Sequence, residues 1–316
     1  MKVLANDGLA PAGVDVLKKE GIEVVTTRVA QEQLAKFINE NGINALLVRS
    51  ATEVRKNLLD ACPHLQLIGR GGVGMDNIDV EYAQSKGIHV INTPAASSES
   101  VAELVFAHLF GGVRFLYDSN RNMPLDGDSK FKQLKKSYAG GTELRGKTLG
   151  VIGFGRIGQA TAKIALGIGM KVLFADHHVS KVTLEIPFFD GQSVSFDLKR
   201  DTLEDVLTQS DFISLHVPAQ DKYLIGKKEF DLMKTGVGIV NASRGGVLDE
   251  VALVDALDKD KIAFAGLDVY ESEPHPEIKI LMNPKISLTP HIGASTQEAQ
   301  ERIGVELATQ VIALLK

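Results

Sequence analysis

The chain has a single cysteine, Cys62, in 316 residues. An internal disulfide framework is therefore excluded, and a reducing compartment suits it. Cys62 stands directly before Pro63 at the end of a helical stretch, where a structural thiol is expected rather than a nucleophile. No apolar run is long enough to span a bilayer, and the opening Met1-Lys2-Val3-Leu4-Ala5 reads as a strand, not as a signal peptide. Basic excess is also missing. The formal net charge is −5, which gives no electrostatic footprint for nucleic acid, and no basic run marks a membrane surface. No set of Cys, His, Asp and Glu has metal-ligand spacing. There is no low-complexity segment and no repeat beyond an alternation of strands and helices. A cytoplasmic globular protein of about two domains is expected, and 44% hydrophobic with 24% charged residues is ordinary for that class.

One stretch organises what is present. A short β-rich run, Thr148 to Ile152, empties into Gly153-Phe154-Gly155-Arg156-Ile157-Gly158, and a helical run, Gln159 to Ala165, follows at once. This G-x-G-x-x-G sits between strand and helix, as a dinucleotide fingerprint requires. Gly153 permits the tight turn, Gly155 lets backbone approach a pyrophosphate, and Gly158 lets the helix pack close to the strand. A second strand, Met170 to Ala175, ends in Asp176, about twenty residues on, where a carboxylate is expected to bond a ribose diol. Asp176 would repel a 2′-phosphate, and His177 and His178 follow it with no arginine, so NAD is favoured over NADP.

The N-terminal part alternates strands (Lys2–Ala5, Ile22–Thr26, Ala45–Val48, Leu65–Ile68, His89–Ile91) with helices near Pro11–Lys19, Gln31–Asn41, Arg55–Ala61 and Val80–Lys86. Apolar strands separated by single helices imply a parallel sheet covered on both faces. A long helix, about Ser98 to Phe115, leads to a second alternating unit, and Asn120–Ser137 reads as a polar loop or irregular helix. Later strands are expected at Phe212–His216, Gly238–Asn241, Ala263–Leu267 and Ile286–Leu288. Helices are expected near Leu203–Gln209, Lys227–Leu232 and Glu250–Asp258, with an amphipathic tail helix over Thr296–Leu315. Residues 182–198 break the rhythm: β formers flank Asp190-Gly191, which predicts an inserted β-hairpin. A surface decoration is the expected role, with reshaping of the adenine end or a partner contact as alternatives.

Three residues lie just beyond strands, at the sheet edge where open α/β folds bind ligands. They are Arg244 in Asn241-Ala242-Ser243-Arg244-Gly245-Gly246, Glu273 in Leu267–Pro274, and His291 in Thr289-Pro290-His291-Ile292-Gly293. Histidine, carboxylate and arginine are what hydride transfer at a 2-hydroxy acid needs. A base takes the hydroxyl proton, an arginine grips the carboxylate and polarises the forming carbonyl, and a carboxylate behind the imidazole fixes its tautomer. The arrangement at Ser243 lacks a nucleophile elbow, which argues against a hydrolase. His64, His89, His108, His177, His178 and His275 join no motif, and His216 reads as structural.

At these residues the chain resembles the D-isomer-specific 2-hydroxyacid dehydrogenases, most of all their phosphoglycerate dehydrogenases. The resemblance rests on Val48–Thr52, Gly69–Asn77, the glycine fingerprint, Asn241–Gly246, Glu273-Pro274 and Pro290–Thr296, and covers nearly the whole chain. It implies two doubly wound parallel-sheet domains: a Rossmann-type NAD domain (95–291) inserted in a flavodoxin-like, discontinuous substrate domain (1–94 plus 292–316), with hinge closure over the reacting groups. It makes His291 the acid/base, Glu273 its orienting partner (preferred over Glu271 for its place before Pro274) and Arg244 the carboxylate grip. It assigns cofactor contacts to Gly153, Gly155, Arg156, Ile157, Gly158, Asp176, Val217, Ser243, Arg244, Asp268, His291 and Gly293, with Asp268 facing the nicotinamide carboxamide. It assigns substrate contacts to Arg49, Ser50, Arg70, Gly72, Val73 and Gly74. Arg49 and Arg70 would hold a phosphate and the backbone around Gly71–Gly74 a carboxylate, while Lys135 or Lys136 could add charge. Val73 stands where threonine is frequent.

The implied activity is NAD-dependent oxidation of 3-phospho-D-glycerate to 3-phosphohydroxypyruvate, the entry to serine biosynthesis, by a homodimer formed through the cofactor domain. The chain stops at Lys316, so serine feedback through a C-terminal regulatory domain is not expected. A hydroxypyruvate or glyoxylate reductase, or an NAD-sensing corepressor, are the other readings.

Overall fold

The computed structural model describes residues 1–315. The chain divides into two compact units, Met1–Ser100 with the chain from Ala294 onward, and Val101–Gly293.

In the first unit β1 (Lys2–Ala5), α1 (Pro11–Lys19), β2 (Glu23–Val25), α2 (Gln31–Asn41), β3 (Ala45–Val48), α3 (Lys56–Ala61), β4 (Leu67–Arg70), α4 (Val80–Ser85) and β5 (His89–Asn92) alternate. All neighbouring strands pair in parallel, in the order β2-β1-β3-β4-β5. This is the flavodoxin-like order, with its switch point between β1 and β3. The central β3 is fully apolar because both faces of the sheet are covered there: each of its residues is buried. Pro11 starts α1 at a position where its missing N–H costs nothing, and Gly42, at φ 62°, closes α2.

β4 is the strand that sequence pattern misplaced. It was expected to stop before Gly69 but continues through Gly69 and Arg70. The reason is packing. A Cβ on Gly69 would meet Leu47 at 2.6 Å and Ile91 at 3.3 Å, so only glycine fits between the neighbouring strands.

The second unit begins with three helices, α5 (Ser98–Val113), α6 (Leu116–Asp126) and α7 (Phe131–Ser137). The last two occupy the segment read as a polar loop or irregular helix, and the helical alternative is the one found. Neither buries a residue, and Pro124 lies inside α6, which is why no apolar period announced them. β6 (Thr148–Ile152), α8 (Arg156–Gly167) and β7 (Lys171–Ala175) form the fingerprint unit. β8 (Lys181–Pro187) and β9 (Ser193–Lys199) form the expected antiparallel hairpin, which pairs only with itself. α9 (Leu203–Gln209), β10 (Phe212–Leu215), α10 (Lys227–Leu232), β11 (Val237–Asn241), α11 (Glu250–Asp258), β12 (Ile262–Leu267), α12 (Ile278–Leu281) and β13 (Ile286–Leu288) complete it. The six-stranded sheet runs β13-β12-β11-β10-β6-β7, parallel throughout, and reverses direction of growth between β6 and β10. Nucleotides bind at such a reversal.

α13 (Gln297–Leu315) belongs to the first unit. Its Ile303, Leu307, Ala308 and Val311 pack with Val3, Ala5, Leu47 and Leu67, each fully buried aliphatic contributing about 1.5–3 kcal/mol. It crosses α1 backbone to backbone, since a Cβ on Gly13 would lie 2.5 Å from the Gly304 carbonyl. In the second unit the Phe154 and Phe174 rings stack at 3.9 Å, tying the fingerprint turn to β7. Among the described residues no single helix is long and apolar enough to cross a bilayer.

Candidate active site

The fingerprint glycines do three different jobs. Gly153 adopts φ 90° and sits against the His216 carbonyl and Val217, so a side chain there would be both strained and obstructed. Gly158, in the first turn of α8, leaves no room for a Cβ beside the Gly153 carbonyl. Gly155, the N-cap of α8, has nothing within 4 Å of its Cβ direction. That open side, above the free N–H groups of Arg156, Ile157 and Gly158, fits a pyrophosphate.

Asp176 follows β7 and turns its carboxylate back onto this turn. Its Oδ2 accepts the Phe154 N–H at 2.6 Å, and its Oδ1 accepts those of His178 (2.7 Å) and Val179 (2.8 Å). Burial acts to raise its pKa, but the three N–H donors outweigh it and hold the carboxyl below its ordinary value. The group is thus anionic at neutral pH, with lone pairs left for a ribose diol and repulsion for a 2′-phosphate. A depressed folded-state pKa also means that Asp176 stabilises the fold above the ordinary carboxylate range and loses that contribution as pH falls through the depressed value. Replacing Asp176 by serine is expected to raise the KM for NAD roughly tenfold and narrow the preference over NADP, since hydrogen bonds to a charged group are worth about 1.5–3 kcal/mol. An unchanged ratio of kcat/KM for the two cofactors would remove Asp176 from discrimination.

The reacting-group candidates come from three loops at the C-terminal edge of the six-stranded sheet. His291 lies beyond β13 and Glu273 beyond β12, and the imidazole Nδ1 meets Glu273 Oε2 at 2.8 Å. The Tyr270 N–H steadies the other Glu273 oxygen at 3.0 Å. Burial acts to raise the Glu273 pKa, but His291, the Tyr270 N–H and the charge of Arg244 prevail and hold it below the ordinary carboxylate value. An anionic Glu273 on Nδ1 fixes the ring so that Nε2 is the nitrogen left to trade a proton.

His291 has φ 55°, a left-handed conformation that a non-glycine residue adopts only when its surroundings impose it. Asp268 imposes it. Fully buried, its carboxylate takes the N–H groups of Ile292 and Gly293 at 2.8 Å each and the Thr289 hydroxyl at 2.6 Å. Asp268 was expected to face the cofactor; in the structure both oxygens also brace the loop that carries His291. A pocket of about 410 Å³ lies beside the pair, lined by Tyr270, Glu273, Pro274, Leu281, Leu288 and His291.

Arg244 follows β11. Asn241 holds its loop, donating from Nδ2 to the Arg244 carbonyl at 2.9 Å and accepting the Ser243 hydroxyl at 2.8 Å, while the Arg244 guanidinium donates to the Ser243 carbonyl at 2.7 Å. Gly245 presses on the Tyr270 carbonyl so closely that no Cβ is possible there, which sets the Arg244 loop directly against the Glu273 loop. Glu271, the rival carboxylate, is engaged elsewhere: it takes the Tyr223 hydroxyl at 3.0 Å and the Glu250 N–H at 2.9 Å. The remaining histidines of the sheet are poor proton carriers. Burial pushes His216 down to about 3, and it lowers His108, which bonds Ser287 and Thr289.

In the first unit the register pairs Val48 with Arg70, so Arg70 ends β4 and Arg49 follows β3 at the same C-terminal edge of the five-stranded sheet. Asp7 takes the Arg49 N–H at 2.6 Å, and Asn77 donates to the Arg49 carbonyl at 2.8 Å, fixing that turn. Gly72, at φ 143°, is covered by the Arg70 guanidinium. Ser50 and Val73 are exposed, and Asn92 donates to the Val73 carbonyl at 2.7 Å, which leaves the Gly71–Gly74 turn anchored at the same edge. Lys135 and Lys136 lie in the last turn of α7 and are exposed.

Comparison with known proteins now fixes the family. The model of the D-isomer specific 2-hydroxyacid dehydrogenase NAD-binding domain matches residues 106–293. A hydroxypyruvate reductase from Thermotoga maritima is 40% identical over 98% of this chain and 97% of its own length. A D-3-phosphoglycerate dehydrogenase from Methanocaldococcus jannaschii is 39% identical over the whole of this chain, which spans 58% of that longer protein. The crystal structure of a glyoxylate reductase from Paecilomyes thermophila superposes with a TM-score of 0.82 at 28% identity, covering 100% of this chain and 95% of the other. The chain belongs to the D-isomer-specific 2-hydroxyacid dehydrogenase family and binds NAD.

Proposed function

We propose that the protein oxidises 3-phospho-D-glycerate to 3-phosphohydroxypyruvate with NAD, the first step of serine biosynthesis. The observation that carries this reading is that Arg49 and Arg70 lie at the same C-terminal edge of one sheet, two cations suited to a phosphate dianion. NAD supplies the hydride acceptor. His291 Nε2 takes the hydroxyl proton as the C–H bond breaks, and returns it to the carbonyl oxygen in the reverse direction. Glu273 holds the ring through Nδ1. Arg244 grips the substrate carboxylate and polarises the C2 oxygen. A single buried cysteine whose thiol pKa is raised by burial is consistent with work in a reducing cytoplasm.

The test is Arg49→Ala assayed with 3-phosphohydroxypyruvate beside hydroxypyruvate. The variant is expected to lose roughly tenfold or more in kcat/KM for the phosphorylated substrate and little for the other, as one charge-assisted contact is removed. Equal losses would point to a structural arginine. A second reading, reduction of hydroxypyruvate or glyoxylate, draws on the end-to-end match to the Thermotoga reductase. In that case wild type gains nothing from the phosphate.

The proposed assembly is a homodimer through α5–α7. These helices leave Phe110, Leu116, Leu125 and Phe131 between 47% and 77% exposed, a large apolar display for a surface facing only water. Sedimentation should give twice the chain's mass, and Leu125→Asp with Phe131→Asp should halve it; a wild-type protein sedimenting as one chain would contradict the dimer.

A further inference from the structure

Next to the Glu273–His291 pair lies a second pair of acidic residues with no part in the scheme above. Glu250, the first residue of α11, and Glu271 exchange hydrogen bonds: the Glu250 N–H donates to Glu271 Oε1, and the Glu271 N–H donates to Glu250 Oε1, both at 2.9 Å. The exchange is built on a helix end. The Glu250 N–H is one of the first-turn donors that α11 cannot satisfy internally, and an anion at that end meets a favourable dipole. The Tyr223 hydroxyl fixes the outer oxygen of Glu271 at 3.0 Å.

Glu250 itself is only 6% exposed, and its Oε2 is buried without a hydrogen-bond partner among the described residues. Burial raises its pKa, and the nearby Glu271, Glu277 and Glu273 push it further up, against the Glu271 N–H. A carboxyl in such a place is costly, and an apolar residue would pack there at less expense. Its position explains the choice. The segment from Asn241 to Glu250 carries Arg244, and the segment from Asp268 to Glu273 carries Glu273. Beside the Asp268 N–H on the Asn241 carbonyl at their start, they touch at Gly245 on the Tyr270 carbonyl and at Glu250 on Glu271. Tyr270, whose carbonyl makes the Gly245 contact, donates its own N–H to Glu273.

We infer that Glu250 and Glu271 are positioning residues that clamp the Arg244 loop to the Glu273 loop, setting Glu273 and through it His291. The inference rests on the proposed roles of Arg244, Glu273 and His291. A misplaced Glu273 leaves NADH binding intact and slows the proton step, so the effect falls on kcat.

The experiment compares wild type, Glu250→Ala, Glu250→Gln, Glu271→Ala and His291→Asn by NADH oxidation with hydroxypyruvate and 3-phosphohydroxypyruvate, with NADH binding followed by fluorescence. Glu250→Ala is expected to lower kcat roughly tenfold or more with the KM for NADH within about twofold. Glu250→Gln keeps an acceptor for the Glu271 N–H and should restore kcat to within about threefold. Glu271 is exposed, so Glu271→Ala tests the clamp without opening the core and should match Glu250→Ala. Wild-type kcat in Glu271→Ala, or a Glu250→Gln as slow as Glu250→Ala, would overturn the clamp. Full activity of His291→Asn would instead overturn the reading on which it rests, whatever the glutamates do.

Discussion

Replacing His291 by asparagine should reduce kcat roughly 100- to 10,000-fold, the range for removal of a general acid–base group, while NADH binding changes little. The expectation follows from geometry. His291 is the histidine of this sheet edge that is partly exposed, tied through Nδ1 to a carboxylate held anionic, and placed in a left-handed backbone by Asp268. His108 is buried and His216 half-buried, and burial lowers the pKa of both, so neither substitutes for it. Glu273→Gln should cost less, since the amide oxygen can still accept from Nδ1. The charge that holds the ring is lost, so kcat should still fall, by roughly tenfold. Stopped-flow and steady-state rates of NADH oxidation across pH measure both. A His291→Asn variant that turns over normally would exclude the imidazole from the proton step, and a Glu273→Gln profile superposable on wild type would exclude its electrostatic role.

Arg244→Ala is expected to lower kcat/KM for either 2-oxo acid roughly 100- to 1,000-fold, the loss seen when a donor to developing negative charge is removed. Arg244→Lys should recover only part of it, because an ammonium cannot reproduce the planar fork that serves carboxylate and carbonyl together. The charge of Arg244 also contributes to the low Glu273 pKa. Arg244→Ala should therefore shift the pH profile as well as its height, a signature that loss of substrate grip alone would not give. Equal kcat/KM for Arg244→Lys and wild type would mean a point charge suffices and the bidentate assignment is wrong.

Much of this arrangement is written in short stretches of sequence. The fingerprint is legible because backbone geometry leaves so few options: Gly153 needs a positive φ, and Gly158 has no room for a Cβ, so both glycines announce themselves. The inserted hairpin is legible from Asp190-Gly191 between two β-rich runs. Glu271 and Glu273 are not separable in the same way. They are two residues apart in one loop, and only the fold turns one to Tyr223 and Glu250 and the other to His291. The bracing by Asp268 was hidden for a similar reason, since its partners lie more than twenty residues away in sequence. α12 escaped because four residues, Ile278–Leu281, are too few to show a period, and α6 and α7 were legible only as a loop or irregular helix because helices that bury nothing carry no apolar stripe. Glu250 reads in sequence as a plain first-turn acid of α11, and its burial against Glu271 is a tertiary fact.

The most direct measurement is NADH oxidation by the wild-type protein with 3-phosphohydroxypyruvate and with hydroxypyruvate, at matched concentrations and neutral pH. A paired-arginine phosphate site predicts turnover of both, with kcat/KM for the phosphorylated acid higher by tenfold or more, about 1.4 kcal/mol per factor of ten. Equal kcat/KM for the two acids would contradict phosphate recognition and leave a general hydroxypyruvate reductase, and no turnover of either would contradict the hydride-transfer assignment itself.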